Sequence, residues 1–219
     1  MDKFQFIEIL EKGEGFYIEF KRKVSSAEKI AKEMIAFANT DGGTIFFGVD
    51  DDKTIPGVES EKAEIDLIES VGLQNCYPPI KPDIEIFHYK NKDIILASIR
   101  KSKERPHFLF SGDEKLSKDS KVYIRVNDKS VLASKEVIQV LKNERADAKP
   151  VKLSIGYHEK KLLEYFETNE KITLKEFADS VNISERRAGR LLVRMVKIGI
   201  VRIHTLEKYD YYTLAHDLK

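Results

Sequence analysis

Near the start of the chain Phe16, Ile18 and Phe20 alternate with Tyr17, Glu19 and Lys21. That two-residue period predicts a strand with one buried face, and it puts Glu19 and Lys21 together on the polar side. Ser25-Ser26-Ala27-Glu28 has the spacing of a capping box. Ala27, Ile30, Ala31, Met34, Ile35 and Ala38 follow at helical spacing, so a helix packed by one face is expected. Asp41-Gly42-Gly43 ends it with residues tolerant of positive φ. Thr44 to Val49 then runs almost wholly apolar and β-prone into Asp50-Asp51-Asp52-Lys53, the pattern of a buried central strand ending at an acidic turn. A helix over about 60–73, a hairpin pairing 84–89 with 94–100 about Asn91, a strand over 122–126 and a helix over 134–143 complete an α+β domain.

The periodicity breaks at Ala146-Asp147-Ala148-Lys149-Pro150, which marks a linker. The chain therefore divides into an α+β domain over 1–145, a linker over 146–156 and a second domain over 157–219. In the second, Thr173-Leu174-Lys175-Glu176 is a capping box opening a short helix through Asp179. Asn182-Ile183-Ser184 makes a turn whose Ser184 caps a longer helix running to about Ile198. Gly199 stops that helix, and 200–205 and 209–214 are β-prone about Leu206-Glu207-Lys208, as in a hairpin wing. The sum predicts a small winged helix-turn-helix.

Composition narrows the classes. With 42% hydrophobic and 34% charged residues over 219 positions, the chain can bury a core, which excludes a disordered protein. No apolar run approaches the roughly 18 residues of a membrane span, and the first residues lack the basic-then-apolar order of a secretory signal. A single cysteine, Cys76, and no zinc-site spacing of Cys and His fit a reducing compartment. A cytoplasmic protein without membrane partners is expected, with Cys76 a buried thiol. The 38 Lys+Arg nearly balance 37 Asp+Glu. From Val151 onward there are 13 basic and 10 acidic residues, net +3, so the second domain is the basic one.

On the last helix Arg187, Arg190, Arg194 and Lys197 recur every three or four residues, while Ala188, Leu191, Leu192 and Met195 form a separate apolar stripe. A helix with one basic face fits the DNA major groove, where its cations neutralise phosphates and release counterions. Ser184, Glu185, Arg186 and Arg187 occupy the end that would reach base edges, and Tyr209, Tyr211 and Tyr212 lie in the wing. A net charge of only +3 implies that a homodimer, or help from the first domain, supplies further phosphate contacts.

Glu14-Gly-Phe-Tyr-Ile-Glu19-Phe20-Lys21, Ala36-Phe37-Ala38-Asn39-Thr40-Asp41-Gly42-Gly43 and Gly48-Val49-Asp50-Asp51 resemble the Schlafen/Alba-like (Schlafen AlbA) domain of prokaryotic transcriptional regulators, also found in vertebrate Schlafen proteins. Arg105-Pro106-His107 and Val122-Tyr123-Ile124-Arg125-Val126 extend the resemblance, which covers roughly 4–141. It implies a DNA-binding regulator with a winged helix behind the domain and no required cofactor. Lys21, Arg22, Lys23 and Arg125 would be the first domain's nucleic-acid contacts.

The vertebrate relatives imply an alternative, a metal-dependent endoribonuclease acting on structured RNA. Matched to the motif, Glu14, Glu19 and Asp51, or Asp50 in its place, would be catalytic residues holding Mg²⁺ or Mn²⁺. Five residues separate Glu14 from Glu19, so their convergence requires Gly13 or Gly15 to bend the chain. A third reading is a protein-partner adaptor that docks through the winged helix. No phosphate-loop string is present, so the glycines are expected in turns and caps. The five histidines show no pairing with Ser or Cys that would suggest a hydrolase.

Overall fold

The computed structural model describes residues 1–144 and 155–215. They divide into two compact units, Met1–Leu132 and Ala133–Lys219. Most of the expected linker, 146–154, lies outside the described residues. No helix among them is long and apolar enough to cross a membrane.

The first unit runs α1 (Lys3–Lys12), β1 (Ile18–Lys21), α2 (Ala27–Asn39), β2 (Gly43–Phe47), α3 (Glu61–Gln74), β3 (Cys76–Tyr77), β4 (Asp83–Tyr89), β5 (Lys92–Ile99), β6 (Phe108–Leu109), β7 (Tyr123–Val126) and β8 (Lys129–Leu132). Four strands form a sheet in the order β1-β2-β5-β4, and β3–β6 and β7–β8 form two short ribbons. β1 and β2 are parallel and joined through α2, whereas β5 is antiparallel to both its neighbours. The β4–β5 hairpin turns through Lys90 and Asn91, both at positive φ, as a tight hairpin turn requires.

The apolar run of β2 reflects burial on both faces. Ile45 and Phe47 pack with Ile30, Met34 and Phe37 of α2, while Phe46 packs with Phe20, Ile94 and Leu96 on the other side. That second side is closed by α1, whose Phe6 ring lies 4.9 Å from Phe87 and 5.1 Å from Tyr89. Gly43 is required where it stands, because a Cβ there would fall 2.3 Å from the Phe37 ring. Cys76 is buried in this core, and burial pushes its thiol up to about 12.

α2 starts one residue later than the capping box predicts. Its N-cap is Ser26, whose hydroxyl accepts from Lys29 N, so the Ser25–Glu28 pair does not form the box. The paired part of β1 is also shorter than the alternation suggests, since Phe16 lies outside it.

The second unit comprises α4 (Lys135–Asn143), α5 (Tyr157–Phe166), α6 (Leu174–Ser180), α7 (Glu185–Lys197), β9 (Val201–Thr205) and β10 (Asp210–Leu214). The Thr173–Glu176 capping box forms as predicted. Ala188, Leu192 and Met195 of α7 enter a core with Leu162, Phe166, Phe177, Val201 and Tyr212. β9 and β10 pair as an antiparallel hairpin. α4, expected to end the first domain, belongs here: a Cβ on Gly189 of α7 would sit 2.7 Å from Glu136 Oε1, and Lys197 Nζ lies 3.4 Å from Asn143 Oδ1. α4 lies along α7 through the flank that carries Glu136 and Asn143.

Candidate nucleic-acid interface and carboxylate cluster

Glu14 and Glu19 would diverge on a continuous strand, but β1 begins only at Ile18. Gly13 adopts φ 79°, and Gly15 N donates to Ile18 O at 3.0 Å, so residues 13–17 bend back before the strand starts. Glu14 Oε1 then accepts from Phe20 N at 2.8 Å. The bend places Glu14 close enough to Glu19 and Asp51 for their charges to act on it. Its pKa is raised, first by burial and then by those two carboxylates, against the opposing Phe20 N–H bond and the Lys21 ammonium. Because β2 runs parallel to β1, their C-terminal ends lie side by side: Gly48 N donates to Lys21 O at 2.9 Å, and Asp50 pairs with Arg22 at 3.7 Å.

Arg125 stands beneath this cluster with no exposed side-chain surface. Its Nη1 lies 2.8 Å from Glu19 Oε2 and 3.0 Å from Glu33 Oε2, its Nη2 donates to Gly15 O at 2.6 Å, and its guanidinium stacks 4.7 Å from the Phe37 ring. It therefore cannot be the nucleic-acid contact expected of it; buried carboxylates and the carbonyls of the 15–18 bend take up its Nη1 and Nη2 donors, while its Nε is buried without a hydrogen-bond partner. Lys21 is also engaged, bonded to Glu19 Oε1 and 3.8 Å from Glu14 Oε1. Lys23 is exposed, and Arg22 is exposed apart from its pairing with Asp50.

The oxygen donors suit a hard divalent ion in kind. Their occupancy does not. Each oxygen of Glu19 already meets a cation, Glu14 spends an oxygen on the Phe20 amide, and the Lys21 ammonium reaches both carboxylates. Glu19 is thus neutralised from within, and the arrangement does not fit a divalent ion.

Asn39 is the residue whose role sequence reasoning missed, although it lies in the motif string. It is buried, its Oδ1 accepts from His107 N at 2.7 Å, and its Nδ2 donates to His107 O at 2.8 Å and to Tyr123 O at 2.9 Å. The next residue, Thr40, accepts from Arg125 N at 2.9 Å. Helix α2 thus pins two distant segments by side chain to backbone.

In the second unit, Ser184 occupies the N-cap of α7 without a side-chain bond and is exposed, as are Glu185, Arg186, Arg187 and Arg190. None of the three arginines has an ion-pair partner among the described residues. The other two cations of the expected stripe differ. Arg194 pairs with Glu159 of α5, and Lys197 donates to Asn143 of α4. In the wing, Tyr209 is 52% exposed and Tyr211 stacks on His204 at 4.8 Å. Tyr212 is a core residue with no exposed surface, so it cannot stack on a base.

The family described as Schlafen, AlbA_2 matches residues 14–134, more than half of the chain. The chain belongs to this family. The match begins at Glu14 and takes in Glu19, Asn39, Asp51, His107 and Arg125 of the AlbA_2 domain. Among solved structures, the DIP2311 protein of Corynebacterium diphtheriae is similar at 17% identity and a TM-score of 0.44, over 62% of this chain and 25% of that one. The N-terminal domain of a putative ATP-dependent DNA helicase RecG-related protein from Nitrosomonas europaea is similar at 18% identity and a TM-score of 0.40, over 58% of this chain and 94% of that one. The AlbA_2 chain thus aligns with only a quarter of the Corynebacterium protein.

Proposed function

We propose that this AlbA_2 protein is a DNA-binding transcriptional regulator that holds duplex DNA through its C-terminal unit, read as a winged helix-turn-helix. The observation that carries this reading is the exposed row Arg186, Arg187 and Arg190 on the N-terminal half of α7, directly after the α6–α7 turn. That half of a recognition helix is the part that enters a major groove, and unpaired guanidinium groups there can meet phosphates or guanine edges. Exposed Arg202, Lys208 and Tyr209 on the hairpin would add contacts of the kind a wing makes. Three arginines on the helix and two cations on the hairpin are few, so a homodimer or the exposed Lys23 of the first unit would supply the rest.

The test is the salt dependence of binding to mixed duplex DNA. Arg187→Glu with Arg190→Glu is expected to weaken binding and to flatten the slope of log K against log salt by about 0.9 for each phosphate that is no longer neutralised. An unchanged slope refutes the reading, and retention of a single protein partner with no nucleic acid supports the adaptor instead. The ribonuclease has weaker support, because Glu19 is already neutralised. Mn²⁺-dependent fragments of folded tRNA that vanish in Glu19→Gln would restore it.

A further inference from the structure

After β5 the chain folds back through 102–107, and this brings together two side chains that the sequence leaves unrelated. Ser102 Oγ lies 2.7 Å from His107 Nε2, and His107 Nδ1 lies 2.7 Å from Pro78 O. A backbone carbonyl can only accept, so Nδ1 carries the proton and Nε2 is the acceptor for the Ser102 hydroxyl. This is the relation of a hydroxyl nucleophile to a neutral base, with the base oriented by a third group. His107 is 2% exposed, and burial holds its pKa below the ordinary histidine range, so it stays unprotonated near neutrality. Asn39, bonded to both backbone groups of His107, is its positioning residue.

The pair faces a cavity and not the protein interior. Ser102 and His107 line a cavity of about 280 Å³ together with Lys81, Arg100, Lys101 and Glu104. Arg100 pairs with Asp83 and Lys101 with Asp41, each at 2.8 Å. Lys81 and Glu104 are the lining cation and the lining carboxylate without an ion-pair partner among the described residues. Ser102 Oγ also accepts from Glu104 N at 3.0 Å, which uses one lone pair and leaves the second for attack.

The geometry points to a nucleophilic serine: Ser102, with His107 as general base, is acylated by small esters that carry negative charge. Ser102 Oγ bonds to the acyl carbon as its proton passes to His107 Nε2. The ester C–O bond then breaks, and the leaving alcohol takes that proton. Water repeats the sequence with the acyl-serine, releasing a carboxylic acid and restoring the hydroxyl. Lys81 is the wall charge assigned to an anionic substrate, against the opposing carboxylate of Glu104. This activity is independent of the nucleic-acid reading.

The test treats the full chain with an alkyl fluorophosphonate, in which an Oγ–P bond forms, the P–F bond breaks, and the proton leaves through His107. One adduct is expected, on Ser102, formed about 10²-fold faster than on the same chain unfolded in urea. Ser102→Ala abolishes it, and His107→Gln slows it by about 10²-fold. The wild-type rate should rise with pH through an ionisation below the ordinary histidine value and be flat by pH 7. Glu104 opposes that depression and Arg105 reinforces it, with Lys81, Asp83, Arg100 and Lys101 around the cavity. Turnover of p-nitrophenyl hemisuccinate should exceed that of p-nitrophenyl butyrate, and Lys81→Glu should reverse the order. Labelling no faster than in the unfolded chain, or at another serine, overturns the proposal; equal turnover of the two esters overturns its substrate class. If His107→Gln fails to melt cooperatively by circular dichroism, the wild-type pH profile and the unfolded comparison still decide.

Discussion

Replacing Asn39 by alanine removes three hydrogen bonds at once and strands the N–H and C=O of His107 and the C=O of Tyr123. A typical bond contributes about 0.5–1.5 kcal/mol net, and a buried group left without a partner costs about 1–3 kcal/mol. The bond to Tyr123 O is part-buried, whereas the two bonds to His107 are buried and carry most of the cost. The expected loss is therefore about 3–5 kcal/mol, a large share of the roughly 5–15 kcal/mol that holds a domain together. Urea unfolding of the full chain, followed by far-UV circular dichroism and by the fluorescence of its 9 tyrosines, in a chain with no tryptophan, measures it. Hydrogen exchange adds a local readout: the His107 amide should lose protection while that of Leu192, in the second unit, keeps it. A loss below about 1 kcal/mol, or an unchanged His107 exchange rate, would refute the idea that this side chain pins the 107 segment.

Three further outcomes follow from the same unit. Arg125→Met takes from the buried Glu19 and Glu33 the cation they share, leaving only Lys21 on the one and Lys32 on the other, and should cost up to about 3–5 kcal/mol in urea unfolding, with much of it recovered when both glutamates are also changed to glutamine. Gly43→Ala drives a methyl into the Phe37 ring and should cost about 1–3 kcal/mol; Phe37→Leu in the same chain should relieve part of that. Glu14→Gln keeps the acceptor for Phe20 N and removes a charge that the fold disfavours. A carboxyl with a raised folded pKa lends stability that is complete below its unfolded value and lost as pH rises through the folded one. The variant should therefore match wild type in urea midpoint at pH 3 and exceed it at pH 7.

Much of the fold is legible wherever one period dominates. The α2 stripe, the β4–β5 hairpin about Asn91 and the Thr173 capping box all declare themselves locally. α1 does not, because of its ten residues only Phe6 is fully buried, while apolar Phe4 is exposed and Ile7, Ile9 and Leu10 are only partly covered. The place of α4 is hidden for another reason: its apolar face has the same pattern whether it packs forwards or backwards along the chain. Site residues divide in the same way. The exposed arginines at the start of α7 follow from helical spacing, but the loss of Arg194 to Glu159 depends on a helix packed alongside. Arg125 reads as a surface cation until the three-dimensional neighbours Glu19 and Glu33 are known. Ser102 and His107 meet only because the 102–107 segment doubles back under Asn39, which no periodicity encodes.

The stretch shared with other AlbA_2 proteins stops at residue 134, two positions after the first compact unit ends. Inheritance and folding therefore draw nearly the same border, and α4 falls on its far side. Anyone excising the C-terminal portion for binding studies should cut before Ala133. A fragment begun at Tyr157 would strip the flank of α7 that Glu136 and Asn143 cover, and any weakened grip it showed would report damaged packing in place of an absent DNA-binding group.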